Sequence, residues 1–256
     1  MPTIELDHVS KFYKPKRRRR GQPRLEVGVE DVDLTIRQGE FVFVVGESGA
    51  GKSTLLSLLA GQSRPSRGKV YLDQKDLNWM MALSRNRAAV LFGQIWQDPT
   101  LIRKRTVEEN LALAARITQG RESERMVDIR VKKVLGLVGM RGAERKYPVQ
   151  LSIGECRRVE LARAMIGSPP ILILDEFTAN LDGDSIWDIL HLLNDVNRRG
   201  TTVVMATHDS QYVNILRRRV VTLTNGQVTA DEKKGRYGDV VERKSREFTA
   251  YRTDLI

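Results

Sequence analysis

Short apolar runs, separated by polar turns, recur along the chain and predict buried strands. The clearest runs are Phe41–Val45, 171–174 and Thr202–Ala206. Because these runs do not alternate with polar residues, they are typical of parallel strands that are covered on both faces. Residues 3–9 do alternate, which predicts a strand at the edge of a sheet. Residues 219–223 and 227–229 predict a hairpin, since Asn225-Gly226 between them favours a tight turn.

Helical spacing of apolar residues dominates the middle of the chain. Apolar positions recur at this spacing, among charges, over 106–117 and 123–138, and no convincing strand interrupts them between 93 and 165. We predict an inserted helical subdomain there. Together with the buried runs, this pattern predicts an α/β fold with an open, mainly parallel sheet that is covered by helices.

The predicted organisation has three parts. A core comprises residues 1–92 and 166–230, a helical subdomain comprises 93–165, and a tail comprises 231–256. The tail is rich in charge, carries scattered aromatic residues and has few candidates for a core.

Composition limits the classes of protein that fit. The chain has 256 residues, 41% of them hydrophobic, which suffices for one domain with an insertion or for two small domains. The formal net charge of +11 indicates polyanionic partners such as nucleotides, anionic lipids or nucleic acids. A single cysteine, Cys156, excludes an internal disulfide and fits a reducing compartment. There is no secretory signal pattern and no apolar run of about 20 residues, so we expect a cytoplasmic protein, soluble or peripheral to a membrane.

A glycine-rich stretch between an apolar strand and a helix is the strongest candidate for ligand binding. It reads Gly46-Glu47-Ser48-Gly49-Ala50-Gly51-Lys52-Ser53-Thr54 and matches the phosphate-binding P-loop pattern. Glycines allow backbone N–H groups to approach phosphates closely, and the helix N-terminus adds partial positive charge. We expect Lys52 to reach the β- and γ-phosphates of a nucleotide and the Ser53 hydroxyl to bind Mg²⁺. A glycine-rich turn without a ligand is the alternative.

Two adjacent carboxylates follow the apolar run at 171–174. Successive strand residues point in opposite directions, so Asp175 and Glu176 can have different roles. We expect Asp175 to hold the hydration shell of Mg²⁺ and Glu176 to polarise the water that attacks the γ-phosphate. An acidic pair that only faces solvent is the alternative.

A five-residue stretch that leads into a helix indicates which class of P-loop protein this is. Leu151-Ser152-Ile153-Gly154-Glu155 resembles LSGGQ or LSGGE, the signature motif of ATP-binding-cassette (ABC) proteins. Other stretches resemble elements of that family in the family's order, namely its Q-loop at 96–98, its D-loop at 180–182 and its switch histidine at 206–209. Tyr13 resembles the aromatic residue that stacks on adenine. The resemblance covers about residues 2–230 and implies a P-loop NTPase fold with a RecA-like core, an antiparallel β subdomain and the helical insertion.

The resemblance also implies a mechanism. Two cassettes would form a head-to-tail homodimer with two ATP molecules between them. Ser152 and Gly154 of one copy would bind the γ-phosphate that the other copy's P-loop holds, and Asp182 would help to order that P-loop. Gln97 would contact Mg²⁺ and the attacking water, while His208 would contact the γ-phosphate and hold the catalytic carboxylate. ATP and Mg²⁺ are the implied cofactors, and the implied reaction is hydrolysis of ATP to ADP and phosphate.

Two positions depart from the family pattern. Ile153 stands where the family has glycine, a residue that lets backbone approach phosphate and permits φ values that a β-branched residue resists. We therefore expect the dimer to form but turnover to be slow. Phe177 stands where proline usually follows the second carboxylate, and we interpret it as a difference in packing.

Within the family, residues 201–209 and 228–238 resemble the cell-division ATPases of the FtsE type. This implies an ATPase that signals through an FtsX-like membrane protein and does not pump a solute. Residues 179–182 fit that type and also the ATPases of lipoprotein-release and macrolide-export transporters, so an exporter subunit is the alternative. A soluble cassette that binds nucleic acid is a third and least favoured interpretation, because only the basic charge supports it.

Contacts with a membrane are expected in two places. The Q-loop region near Pro99, Leu101 and Ile102 would bind the membrane partner, although these residues fit the core of the helical subdomain equally well. A basic loop at 14–20 could contact anionic lipid headgroups, although a solvated loop without a partner fits as well. The arginines of this loop are Arg17, Arg18, Arg19 and Arg20. Both contacts would place the protein on the inner face of the cell membrane.

Overall fold

The computed structural model describes residues 2–14, 25–83, 90–120, 122–179 and 181–237. Three predicted features lie outside the described residues. They are the lipid contact of Arg17, Arg18, Arg19 and Arg20, the first residue of the predicted D-loop, and the tail beyond residue 237.

A six-stranded sheet forms the centre of the fold. Its strands are β3 (Phe41–Val45), β6 (Phe92–Ile95), β7 (Ile171–Asp175), β8 (Thr202–Ala206), β9 (Arg219–Thr224) and β10 (Gln227–Glu232). They lie in the order β10-β9-β3-β8-β7-β6, and all neighbours are parallel except β9 and β10. The predicted mainly parallel sheet and the hairpin at Asn225-Gly226 are confirmed.

A second, antiparallel sheet is built largely from the N-terminal part of the chain. Its strands are β1 (Ile4–Tyr13), β2 (Glu26–Ile36), β4 (Arg67–Leu72) and β5 (Lys75–Asp76), in the order β2-β1-β4-β5. β1 therefore lies inside this sheet, and the prediction that it is an edge strand is wrong. Its alternation has another cause, since a strand of an antiparallel sheet with one buried face alternates wherever it lies in the sheet.

Helices cover the main sheet, and two of them begin at capping boxes. The helices with assigned bounds are α1 (Lys52–Leu59), α2 (Leu77–Leu83), α3 (Val107–Gln119), α4 (Glu124–Leu137), α5 (Ile153–Met165), α6 (Gly183–Arg198) and α7 (Ser210–Leu216), with a 3₁₀ turn at Pro148–Gln150. Thr106 and Glu109 exchange hydrogen bonds at the start of α3, as Ser152 and Glu155 do at the start of α5. These reciprocal bonds fix where each helix begins.

β3 lies between two hydrophobic cores because its side chains alternate between the faces of the sheet. Phe43 and Val45 pack with the apolar sides of α3 to α6. Val42 and Val44 pack with α1 and the four-stranded sheet. All five residues of β3 are buried, as expected for a parallel strand with both faces covered. The glycine loop that follows β3 therefore starts from a point fixed on both sides.

Two predicted boundaries need correction. β6 extends the main sheet through residue 95, into the region expected to be wholly helical from 93. A β-carbon at Gly93 would stand 2.5 Å from the Ala164 carbonyl oxygen, so the close approach of α5 requires glycine at this position. Because glycine is uncommon inside strands, the sequence did not indicate a strand here. β10 extends through Glu232, into the expected tail, where Asp231 pairs with Val221 and Glu232 with Val220 of β9. The division into three parts otherwise stays a prediction.

Candidate functional site

The loop between β3 and α1 requires glycine at two positions. φ is 150° at Gly46 and 103° at Gly51. A β-carbon would stand 2.3 Å from the Leu223 carbonyl oxygen at the first position and 2.2 Å from the Gly28 carbonyl oxygen at the second. Other residues would be strained and would clash. The loop therefore leads directly from the end of β3 into the N-terminus of α1, where the helix carries partial positive charge.

Lys52 begins α1 and folds its side chain back over the loop. Its ammonium donates hydrogen bonds to the carbonyl oxygens of Gly46 at 2.9 Å and Glu47 at 3.0 Å. The residue is only 6% exposed, and Nζ lies 4.0 Å from Glu176 Oε1. A buried ammonium in this position is a point charge suited to binding phosphate.

Asp175 ends β7 and is buried. Its Oδ1 atom is buried and has no hydrogen-bond partner among the described residues. Burial raises the pKa of the Asp175 carboxyl, and a hydrogen bond from Ser53 opposes that rise. An oxygen-rich pair of a carboxylate and a hydroxyl suits Mg²⁺, a hard cation that prefers oxygen ligands. The residues present therefore fit the ion that the sequence implied.

Glu176 lies close to two other predicted residues, Lys52 and His208. Its Oε1 atom lies 3.7 Å from His208 Nδ1, in addition to the contact with Lys52. Its backbone N–H donates to the Ala206 carbonyl oxygen at 3.1 Å, which anchors it to β8. φ at Glu176 is +44°, a left-handed value that is uncommon outside glycine and that often marks a functional position.

Lys52, Ser53 and Glu176 line a cleft of about 290 Å³. Tyr13 and Gln97 contribute to its wall, and the Tyr13 hydroxyl donates to Thr54 Oγ1 at 3.4 Å. Of the predicted loop, the residues that line the cleft are Ser48, Gly49, Gly51, Lys52, Ser53 and Thr54. Ala50 is instead buried. Gly46, Glu47, Asp175 and His208 do not line the cleft, but Asp175 bonds to Ser53 and His208 lies beside Glu176, and both of these partners do line it.

The cleft has one wall that the sequence did not predict. Glu26, Val27 and Gly28 of β2 also line it. A β-carbon at Gly28 would stand 2.7 Å from Tyr13 Cε2 and 2.8 Å from Thr54 Cγ2, so glycine makes room for both residues. Gly28, next to the predicted strand, was the one sign in the sequence of a close approach between backbone and other groups here.

The signature residues lie at a different cavity. Ser152, Gly154 and Asp182 line a cavity of about 540 Å³ that shares no lining residue with the cleft. Asp182 caps α6, where it accepts hydrogen bonds from the Ser185 N–H at 2.9 Å and hydroxyl at 2.8 Å. The bond from the Ser185 N–H is the main cause of the lowered pKa of the Asp182 carboxyl. One chain therefore does not bring these three residues to its own cleft.

The expectation that Ile153 disfavours the required φ value is wrong. It is the first residue of α5 and has no left-handed φ, so the backbone at this position does not need glycine. Its side chain is 61% exposed beside Ser152. Any effect of Ile153 must therefore come from the bulk of its exposed side chain.

Comparison with known proteins identifies the family. The model of the ABC transporter family matches residues 29–179. The cell division ATP-binding protein FtsE of Bacillus subtilis is 37% identical, over 92% of this chain and 98% of the relative. FtsE of Streptococcus pneumoniae is 42% identical, over 81% of this chain and 89% of the relative. The chain belongs to the ABC transporter family.

The fold of this ABC cassette agrees with solved structures of the family. A dimeric structure of a post-hydrolysis state of the ATP-binding cassette MJ0796, bound to ADP and Pi, aligns with a TM-score of 0.81 and 31% identity, over 91% of this chain and all of the other. The P-loop NTPase fold and the assignment as an ABC ATPase are thereby confirmed. Among the helices of the described residues, none combines the length and the hydrophobicity that a membrane span needs.

Proposed function

We propose that this chain is the ATP-hydrolysing subunit of a membrane-associated ABC complex of the FtsE type, which couples ATP-driven dimerisation to an FtsX-like membrane partner in cell division. The observation that carries the proposal is the cluster at the end of β7. There Asp175 has a buried oxygen with no hydrogen-bond partner among the described residues, and Glu176 Oε1 lies 4.0 Å from Lys52 Nζ and 3.7 Å from His208 Nδ1. Similarity to FtsE over 92% of the chain favours the cell-division role over export.

Each side chain of the cleft would have a distinct role in hydrolysis. Mg²⁺ would neutralise charge on the β- and γ-phosphates when bound, with Ser53, Asp175 and Gln97 as its protein contacts. Lys52 would bind the same phosphates from its fixed position over the loop. Glu176 would orient and polarise the attacking water. The 3.7 Å distance between His208 Nδ1 and Glu176 Oε1 supports a role for His208 in holding that carboxylate.

A second copy of the chain would complete each site. Ser152 and Gly154 lie at the N-terminus of α5, which is suited to binding the γ-phosphate held by the partner's P-loop. Asp182 would contact that P-loop in addition to capping α6. The dimeric state of the related cassette MJ0796 supports this arrangement.

Ile153→Gly is expected to increase ATP turnover. If the exposed isoleucine obstructs close approach to the γ-phosphate in the dimer, removing about 1 kcal/mol of steric conflict would raise kcat about fivefold. Steady-state ATPase assays at saturating ATP test this, and Ile153→Ala should fall between the two. An unchanged or lower rate in a folded Ile153→Gly protein contradicts the prediction.

The membrane partner would bind a groove of about 450 Å³ near the Q-loop. Ile102 and Ile117 line this groove and are 39% and 47% exposed. Leu101, by contrast, packs partly against the main core, and Pro99 is exposed. An apolar helix on the cytoplasmic side of a membrane protein fits such a groove. Binding there, with Arg17 to Arg20 on anionic lipid, would hold the chain at the inner face of the membrane.

Capture of partners from native membranes tests the proposal. Tagged Glu176→Gln protein, incubated with ATP and detergent-solubilised membranes, is expected to retain a small membrane protein with few spans and a large outer loop, identified by mass spectrometry. Ile117→Asp should abolish this capture, because a carboxylate buried in an apolar contact is costly. Ile129→Asp is the matched control, since Ile129 is equally exposed at 47% and does not line the groove.

The other outcomes of this experiment favour other functions. Recovery of a permease with an exporter's accessory proteins would assign the chain to transport. Recovery without any membrane protein would contradict the proposed partner. Loss of capture in both aspartate variants would contradict the groove as the contact.

A further inference from the structure

A buried ion pair in α5 lines neither the cleft nor the cavity at the signature residues. Arg157 Nη1 lies 2.8 Å from Glu160 Oε2, and the two residues are 5% and 1% exposed. Such pairs are a poor source of stability, because the cost of removing both charges from water offsets most of their attraction. The remaining polar atoms of this pair must therefore be satisfied by other groups, and those groups show what the pair does.

Both side chains bind the Q-loop segment that follows β6. Arg157 donates to the carbonyl oxygens of Trp96 at 3.3 Å and Gln97 at 2.7 Å. Glu160 Oε1 accepts a hydrogen bond from the Thr100 N–H at 2.6 Å. Backbone groups near both ends of this five-residue segment are thus held by one turn of α5.

The Arg157 guanidinium also contacts the segment that carries the catalytic carboxylate. Its Cζ atom lies 5.8 Å from the centre of the Phe177 ring, within the range of a cation–π contact. Phe177 is fully buried and directly follows Glu176. Arg157 therefore touches the peptide of Gln97 and the neighbour of Glu176 at the same time.

We propose that Arg157, oriented by Glu160, is a positioning residue for ATP hydrolysis that fixes Gln97 and Glu176 relative to each other. The guanidinium suits this task because its planar, rigid set of donors can bind two carbonyl oxygens and a carboxylate together. The same contacts join both residues to α5, whose first turn follows Ser152. Through Arg157, α5 thus contacts both the segment that carries Gln97 and the segment that carries Glu176.

Arg157→Met tests this inference, which rests on the proposed hydrolysis of ATP. Methionine fills similar space without donors. We expect kcat to fall about tenfold or more, since a small misplacement of reacting groups is costly, while the Kd for ATP and the KM change less than about threefold. Arg157→Lys keeps the charge but not the fork of donors, so it should restore only part of the loss. ATPase kinetics, ATP binding and thermal unfolding are measured for each variant.

Arg130→Met is the matched control. Arg130 forms a partly buried pair with Glu122 at 2.8 Å in the same helical region, and among the described residues its guanidinium bonds to Glu122 and not to residues 96–100. It should change kcat less than about twofold. A wild-type kcat in folded Arg157→Met, or full rescue by lysine, would overturn the inference, as would parallel losses of binding and kcat. If Arg157→Met does not fold, Arg157→Lys still decides, because an unchanged kcat refutes positioning. A wild-type protein that does not hydrolyse ATP would instead refute the proposed function.

Discussion

Lys52→Ala is expected to abolish detectable ATP hydrolysis and to weaken ATP binding by about a hundredfold. The Lys52 ammonium is 6% exposed and held over the loop by the carbonyl oxygens of Gly46 and Glu47, so its charge is fixed where a phosphate would bind. A hydrogen bond between charged groups contributes up to about 3 kcal/mol, which corresponds to a factor of about 150 in affinity. Removing Lys52 also leaves Glu176 without its cation, which further disfavours a polyphosphate nearby.

Calorimetric titration with ATP and Mg²⁺, together with an ATPase assay, tests this expectation. Lys132→Ala is the control, because Lys132 is 63% exposed, bonds to Asp128 on α4 and does not line the cleft. Its binding and turnover should equal those of the wild type. Binding by Lys52→Ala within about threefold of the wild type would show that the loop is not the phosphate site.

Sequence alone predicted the parts of the site that lie within contiguous motifs. The loop at 46–54 and the carboxylates at 175–176 each follow an apolar strand, and strand order places both at the same edge of the parallel sheet. Residue types and local order were enough here, because each motif brings its own geometry. The prediction that β1 is an edge strand failed because a strand's position in a sheet depends on distant parts of the chain. Alternation shows which face of a strand is buried but says nothing about its neighbours in the sheet.

Residues that act through tertiary contacts were not predicted. Arg157 and Glu160 occur in a charged stretch of α5 that resembles a solvated helix face, and only the folded chain shows that both are buried. Two glycines also made structure hard to predict. Gly93 lies in β6, a strand that the sequence did not indicate, and Gly28 lies in the part of β2 that lines the cleft. At each of these positions the residue type is determined by a partner that is distant in sequence.

Phe177 shows how such a contact can explain a departure from the family pattern. The sequence suggested only a difference in packing at this position. In the structure the Phe177 ring is fully buried and lies against the Arg157 guanidinium, which a proline ring could not replace as an aromatic partner. The packing difference at Phe177 is thus a contact with Arg157.

Glu176→Gln is expected to lower kcat by about a hundredfold or more while ATP still binds. Glutamine keeps the size of the side chain but cannot accept a proton from the attacking water, and a positioned general base contributes about 10² to 10⁴ to the rate. The substitution also removes a negative charge 4.0 Å from Lys52 Nζ, so ATP affinity should be equal or higher. Since bound ATP is no longer consumed, the proposed head-to-tail dimer should accumulate.

Light scattering coupled to size-exclusion chromatography measures this dimer directly. Glu176→Gln should elute as a dimer with ATP and Mg²⁺ and as a monomer without nucleotide, whereas Glu5→Gln, an exposed change on β1, should behave as the wild type. Adding Ser152→Trp to Glu176→Gln should prevent the dimer, because a large side chain at the N-terminus of α5 would occupy the space for the partner's phosphate. A Glu176→Gln protein that stays monomeric with ATP, or that hydrolyses ATP at the normal rate, would refute the shared site. A double variant that still dimerises would show that the two copies meet through another surface.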